Sequence, residues 1–163
     1  IQENNRLLQG EMQILNDLEF ISNMIEDHYM DNIGYELPTN IEAFPSALEH
    51  QVWFNTQLGD GDDTIYLVKI NTGAEETGFG YPLYIRIVGQ TDMQPIYIAE
   101  PIEFEYYDLN GNLISSAALA TAPGRASIRS IETELTVYRG MYDTEAMRSR
   151  TLVFKKYFPN LQI

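Results

Sequence analysis

The first 32 residues constrain the fold of this chain more than any other segment. They contain no proline, and apolar side chains recur in them at spacings of three, four and seven residues. These side chains are Leu7, Ile14, Leu18, Ile21, Ile25 and Tyr29. The spacing predicts one amphipathic helix, which Gly34 and Pro38 would end. At a rise of about 1.5 Å per residue it would cover about 48 Å, so we expect one end to project from the core.

After Pro38 the sequence changes to short β-branched and aromatic runs separated by turn residues, which is typical of antiparallel sheets. The predicted strands are residues 52–57, 64–71, 82–89, 95–108, 112–116, 127–139 and 150–157. Within them Ile102, Phe104 and Tyr106 alternate with more polar neighbours, which predicts one buried and one wet face. A hairpin turn is expected at residues 108–112, because Asn110-Gly111 readily adopts positive φ angles.

The predicted architecture is therefore α+β, with a long N-terminal amphipathic helix packed on an antiparallel β-sheet. We expect one domain over residues 1–163, made of a helix at 1–33 and a β-rich part at 34–163. Loops are expected at 58–63 and 73–80, where glycines are frequent.

The composition argues against some partners and some chemistry. Twenty-four acidic and ten basic residues give a net charge of -14, which would repel nucleic acid phosphates, so no nucleic acid partner is expected. The chain has no cysteine, which excludes disulfides and thiolate chemistry. It starts at Ile1 inside the helical pattern, and we expect an upstream segment to have been removed.

Catalytic patterns are scarce in this sequence. His28 and His50 stand in no metal-ligand spacing, and no Gly-x-Ser-x-Gly motif accompanies the serines. Glu103 with Glu105, and Glu132 with Glu134, would each place two carboxylates about 6.6 Å apart on one strand face, a separation that glycosidases use. Any strand face in water has this spacing, so an acid/base hydrolase is an alternative rather than the main hypothesis.

An acidic loop is the one candidate for a metal. Asp60, Asp62 and Asp63 lie close together in a glycine-containing segment, and calcium prefers such oxygen-rich sites. The spacing does not match an EF-hand, and a solvated turn is the simpler interpretation. No other cofactor is expected.

Tyrosine is abundant, with eleven residues in all. Tyrosines are frequent in recognition surfaces and equally ordinary in half-buried sheets. A secreted module that binds carbohydrate or calcium is therefore a second functional hypothesis.

Three stretches together resemble a known class of protein. The first is the helix end at Ile33-Gly34-Tyr35, and the second is the acidic turn and strand at 61–67. The third is an aromatic strand with an Asp-x-Asn-Gly turn at Asp108-Leu109-Asn110-Gly111, followed by an Ile-Arg-x-Ile strand at residues 128–131. This order is similar to that of PilW-like minor pilins and of J-type minor pseudopilins of type II secretion.

The resemblance implies a pilin-like fold and a structural subunit of a type IV pilus or type II secretion filament, without enzymatic activity. It implies assembly with other major and minor subunits, an inner-membrane anchor upstream of this sequence, and a periplasmic globular part. The family's processing site, apolar anchor and N-terminal glutamate have no counterpart here, so none of their roles is assigned. The partner-binding candidates are the helix residues Leu7, Ile14, Leu18, Ile21 and Ile25, which would dock partly on the chain's own sheet and partly on neighbouring helices.

Overall fold

The computed structural model describes residues 2–59, 61 and 63–161, with side chains described from Gln9 onward. Helix α1 (Gln2–Asn23) continues into a π-helical segment (Met24–Tyr29). The strands that follow are β1 (Ser46–Ala47), β2 (Gln51–Thr56), β3 (Tyr66–Thr72), β4 (Tyr81–Ile87), β5 (Ile96–Ile98), β6 (Glu103–Tyr107), β7 (Ser130–Arg139) and β8 (Arg148–Tyr157). Two short helices, α2 (Ser116–Leu119) and α3 (Ala122–Ala126), lie between β6 and β7, and a 3-10 turn (Pro159–Leu161) follows β8. The α+β class predicted from the sequence is confirmed.

Two antiparallel sheets form the β-rich part. Strands β1 to β5 pair in chain order in the first sheet, and β6, β7 and β8 pair in chain order in the second. Helix α1 lies on β7 and β8, so it covers one face of the second sheet. The buried apolar side chains of α1 and of both sheets form one continuous core.

Ion pairs fix the direction of the helix along the second sheet. Glu11 binds Arg150 at 2.8 Å, near the start of β8, and Asp31 binds Lys156 at 2.9 Å, near its end. The helix therefore runs in the same direction as β8.

The end of the helix differs from the prediction. The α-helix ends at Asn23, and the π-helical segment closes with a hydrogen bond of 2.9 Å from the backbone N–H of Met30 to the carbonyl of Ile25. The wider turn places Ile25, Tyr29 and Met30 in the core, although a spacing of five residues would put 25 and 30 about 140° apart around a regular α-helix.

The predicted strand at 95–108 is wrong, because it is two strands in different sheets. Strand β5 ends at Ile98, and Pro101, which has no backbone N–H to donate, lies between β5 and β6. The N–H of Ala99 donates to Thr136 in the second sheet, and that of Ile102 donates to the side-chain oxygen of Thr72 in the first.

The predicted strand at 112–116 is also wrong. The Asp108 turn forms as expected, with two backbone N–H groups bonded to the Asp108 carboxylate, but the returning chain makes a single bridge between Leu113 and Tyr107. Ser115 then accepts a hydrogen bond from the N–H of Ala118 and starts α2. Because Ser115 caps α2, the chain turns into a helix there, and its pairing with β6 ends after one residue.

Among the described residues, no helix is long and apolar enough to cross a membrane.

Candidate functional site

The predicted partner-binding stripe lies mostly in the chain's own core. Ile14, Leu18, Ile21 and Ile25 are buried, and Leu7 belongs to α1 but its side chain is outside the described set. A buried side chain cannot contact a neighbouring subunit at the same time. Among its described side chains, the helix therefore contributes to the core from Ile14 onward.

The exposed part of the helix carries apolar side chains that are not part of the predicted stripe. Met12, Leu15 and Phe20 are 63%, 58% and 66% exposed. Met12 and Leu15 lie one turn apart, and no described side chain from Gln9 to Gln13 is buried. The sequence signal was available, because these residues are apolar but fall between the positions of the stripe.

The acidic residues of the second sheet form a grid on its outer face. Glu103 lies directly opposite Glu134, and Glu105 opposite Glu132. Burial, followed by the charge of Glu134, raises the pKa of Glu103 above its usual range. The phenol of Tyr107 donates to Glu105 at 2.7 Å, which raises the pKa of Tyr107. The carboxylate pairs predicted from the sequence are thus brought together across two strands.

A cleft of about 330 Å³ opens beside this grid. Glu49, Glu103 and Glu105 line it together with apolar residues such as Leu48 and Leu119. Glu132 and Glu134 are not among its lining residues, so the cleft does not enclose the four carboxylates as one site.

The two histidines lie in different environments. The Nδ1 of His50 donates to the carbonyl of Ile102 at 2.8 Å and links the two sheets. His28 is exposed and meets Tyr29 edge to face, with ring centroids 4.7 Å apart.

The metal prediction is only partly covered by the structure. Asp63 is exposed, whereas Asp60 and Asp62 lie outside the described residues. Within residues 2–59, 61 and 63–161, no three acidic or histidine side chains are grouped so as to hold a metal ion.

A cluster of tyrosines, which we call the tyrosine cluster, surrounds the loop between β3 and β4. Its aromatic members are Phe79, Tyr81, Tyr97, Tyr138 and Tyr142. The Phe79 and Tyr97 rings lie 5.5 Å apart, those of Tyr138 and Tyr142 lie 5.2 Å apart, and the Tyr138 phenol donates to the Phe79 carbonyl.

Two loop carboxylates accompany these rings. Interaction with Glu75 raises the pKa of Tyr81, and interaction with Glu76 raises that of Tyr97. Burial, together with the charge of Glu75, raises the pKa of Tyr142 to about 12. Backbone bonds between Glu76 and Gly80 close the loop, and residues 74–79 are exposed, as the sequence predicts for this segment.

Comparison with known proteins gives no relative. No family model matches the chain, and neither a curated protein nor a solved structure is similar to it. The class that the fold itself defines is α+β, with one N-terminal helix on antiparallel sheets.

Proposed function

We propose that this chain is the globular part of a minor pilin or pseudopilin, a structural subunit that acts in filament initiation, assembly or tip presentation. The filament would be a type IV pilus or a type II secretion pseudopilus. Its partners are other pilin-class subunits, and it reaches the periplasm from an inner-membrane anchor upstream of Ile1. In this role it catalyses no reaction.

One observation carries this proposal. Helix α1 has two parts of different character: from Ile14 onward it contributes to the core, while from Gln9 to Gln13 no side chain is buried and Met12 is exposed. Among the described side chains of α1, which start at Gln9, the first buried one is Ile14. A helix that extends beyond its own core with apolar side chains exposed is suited to packing against other helices.

The absence of cysteine permits a sharp test. Met12→Cys and Leu15→Cys each create a single thiol within residues 1–163, and Leu113→Cys at the β6 edge of the second sheet is a matched control with similar exposure. The variants are expressed as the full-length protein in the native host and treated with a short bifunctional thiol-to-amine crosslinker. We expect crosslinks to pilin-class subunits from Met12→Cys and Leu15→Cys, and few from Leu113→Cys.

Crosslinking that is equal from all three sites, or absent from the helix sites, would count against the proposal. The gene sequence upstream of Ile1 is a second check. A basic leader followed by a small residue and about 20 apolar residues supports a pilin-class anchor, whereas a cleavable signal peptide or another soluble domain argues against one.

The tyrosine cluster favours a second candidate, a carbohydrate-binding module. The exposed Phe79 ring beside Tyr97 offers an apolar face, and Glu75 and Glu76 offer acceptors for sugar hydroxyls. The test is a glycan panel with Phe79→Ala, against Tyr157→Ala as an exposed aromatic control. Glycan binding that Phe79→Ala abolishes and Tyr157→Ala leaves unchanged would favour this candidate.

A further inference from the structure

Among the described residues, Arg129 carries the one buried side-chain nitrogen or oxygen that has no hydrogen-bond partner. Its Nη1 donates to the carbonyls of Ala126 and Ile128, at 2.7 and 2.8 Å. Its Nε is buried without a hydrogen-bond partner, and among the described residues no carboxylate pairs with Arg129. A buried donor without a partner is rare in proteins and calls for an explanation.

The side chain lies in the wall between two cavities. The larger is a groove of about 580 Å³ between the segment 34–43 and helix α3. Apolar residues dominate its lining, including Leu37, Pro38, Ile41, Pro123 and Leu161. The smaller, of about 270 Å³, adjoins the Asp108 turn.

The charges around Arg129 leave the larger groove locally positive. Glu42 also lines the groove, but its carboxylate binds Arg125 at 3.1 Å. In the smaller cavity Asp108 accepts two backbone N–H bonds, and Lys155 lies 3.8 Å from the centre of the Tyr107 ring. Of the described charged residues that line the larger groove, Arg129 is therefore the one without an opposite charge.

We propose that this groove binds an organic carboxylate with an apolar body, which places its apolar part against Leu37 and Pro123 and its carboxylate on Arg129. The Nε–Nη2 edge of a guanidinium presents two parallel N–H groups that match the two oxygens of a carboxylate. Because Nε is covered, two-point binding requires a small shift of the Arg129 side chain, which is held through Nη1 alone. A single arginine in an apolar groove favours a monoanion over a phosphate dianion, which would need more donors.

This inference does not depend on the proposed function. The carboxylate has two sources in principle, a free organic acid or the C-terminus of a peptide, and both present the same chemistry to Arg129. N-acetyl-leucine mimics a peptide terminus, hexanoate represents a free acid, and N-acetyl-leucinamide keeps the apolar body without the charge.

The experiment is a titration of the folded chain with these three probes and with inorganic phosphate, followed by calorimetry and thermal unfolding. We expect N-acetyl-leucine, hexanoate or both to bind with a dissociation constant on the order of 1 mM. N-acetyl-leucinamide and phosphate should bind at least about tenfold more weakly. The stronger of the two acids identifies the source.

The variants are Arg129→Gln and Arg129→Lys, with Arg148→Gln as the control. Arg148 is exposed, and its Nη1 also donates to two backbone carbonyls, so its loss removes the same kind of bond. Arg129→Gln should weaken acid binding at least about tenfold, Arg129→Lys should weaken it less, and Arg148→Gln should leave it unchanged. If Arg129→Gln does not fold, Arg129→Lys is compared alone with the unaltered chain, and it should still bind the acid more weakly.

Three results would overturn the proposal: neither acid binds, the amide binds as well as the acid, or Arg129→Lys and Arg129→Gln bind like the unaltered chain.

Discussion

The phenol of Tyr106 donates a hydrogen bond of 2.7 Å to the carbonyl of Leu48 and so joins the second sheet to the β1–β2 turn of the first. The Gln51 carbonyl lies 3.0 Å from the same oxygen, and Tyr106 is buried. Tyr106→Phe leaves both carbonyls without this donor. We expect a loss of about 1–3 kcal/mol in the free energy of unfolding, measured by urea denaturation. Tyr157→Phe, on an exposed ring, should have almost no effect.

The same bond predicts a dependence on alkaline pH. Burial raises the pKa of Tyr106 above the ordinary tyrosine value, so the folded state holds the phenolic proton more tightly than the unfolded state. This contribution is fully present below the unfolded pKa of about 10 and is lost as pH rises beyond it. The unaltered chain should therefore lose stability above pH about 10 more steeply than Tyr106→Phe. Parallel pH profiles of the two proteins would contradict the assignment.

The opposed carboxylates Glu103 and Glu134 predict a dependence at acid pH. Since the folded-state pKa of Glu103 is raised, its contribution to stability is present below the ordinary carboxyl pKa and is lost as pH rises through the raised value. Glu134→Gln removes the charge repulsion and should stabilise the chain by about 0.5 kcal/mol at neutral pH, a small value because the pair is exposed.

This gain should disappear at acid pH, below the ordinary carboxyl pKa of about 4.3, where Glu103 is protonated and has no charge to be repelled. Denaturation at neutral and at acid pH measures the difference, with Glu145→Gln on an exposed loop as the control. A gain of the same size at both pH values would mean that repulsion is not its cause.

The buried and exposed sides of helix α1 and its π-helical extension predict different losses of stability on truncation. Ile25 is fully buried, and Ile25→Ala should cost about 2–5 kcal/mol of unfolding free energy. Leu15→Ala removes a side chain of similar size that is 58% exposed, and should change stability by less than about 0.5 kcal/mol. Thermal and urea denaturation of the isolated chain compare them. A large loss from Leu15→Ala would show that Leu15 packs within the chain.

Two glycines of the loop between β3 and β4 distinguish the stability cost of backbone strain from that of a steric clash. Gly80 and Gly78 both have positive φ, at 94° and 84°. A Cβ at Gly80 would lie 2.5 Å from the carbonyl oxygen of Ile98, whereas one at Gly78 would meet nothing within 4 Å. Gly78→Ala should cost about 1 kcal/mol through backbone strain alone.

Gly80→Ala should cost clearly more, because the strand or the loop must also move. The tyrosine cluster should loosen with it, and near-ultraviolet circular dichroism reports on those rings. Equal losses from the two substitutions would show that the contact with Ile98 is easily relieved.

The sequence by itself determined the α+β class, the helical stripe and the two faces of β6. These follow from local periodicity: Ile14, Leu18, Ile21 and Ile25 recur at helical spacing, and Phe104 and Tyr106 alternate with Glu103 and Glu105. The Asp108 turn was equally predictable, because the Asp108 carboxylate bonds backbone groups only two and four residues away.

Only the tertiary structure decided how distant segments meet. The split at Pro101 between two sheets depends on partners at Thr72 and Thr136, about 30 or more residues away in sequence. The pairing of Glu103 with Glu134, the tyrosine cluster and the unpaired guanidinium of Arg129 arise in the same way. Local patterns specify which face of an element is apolar, but long-range packing chooses the neighbour across that face, and each of these candidate sites consists of such neighbours.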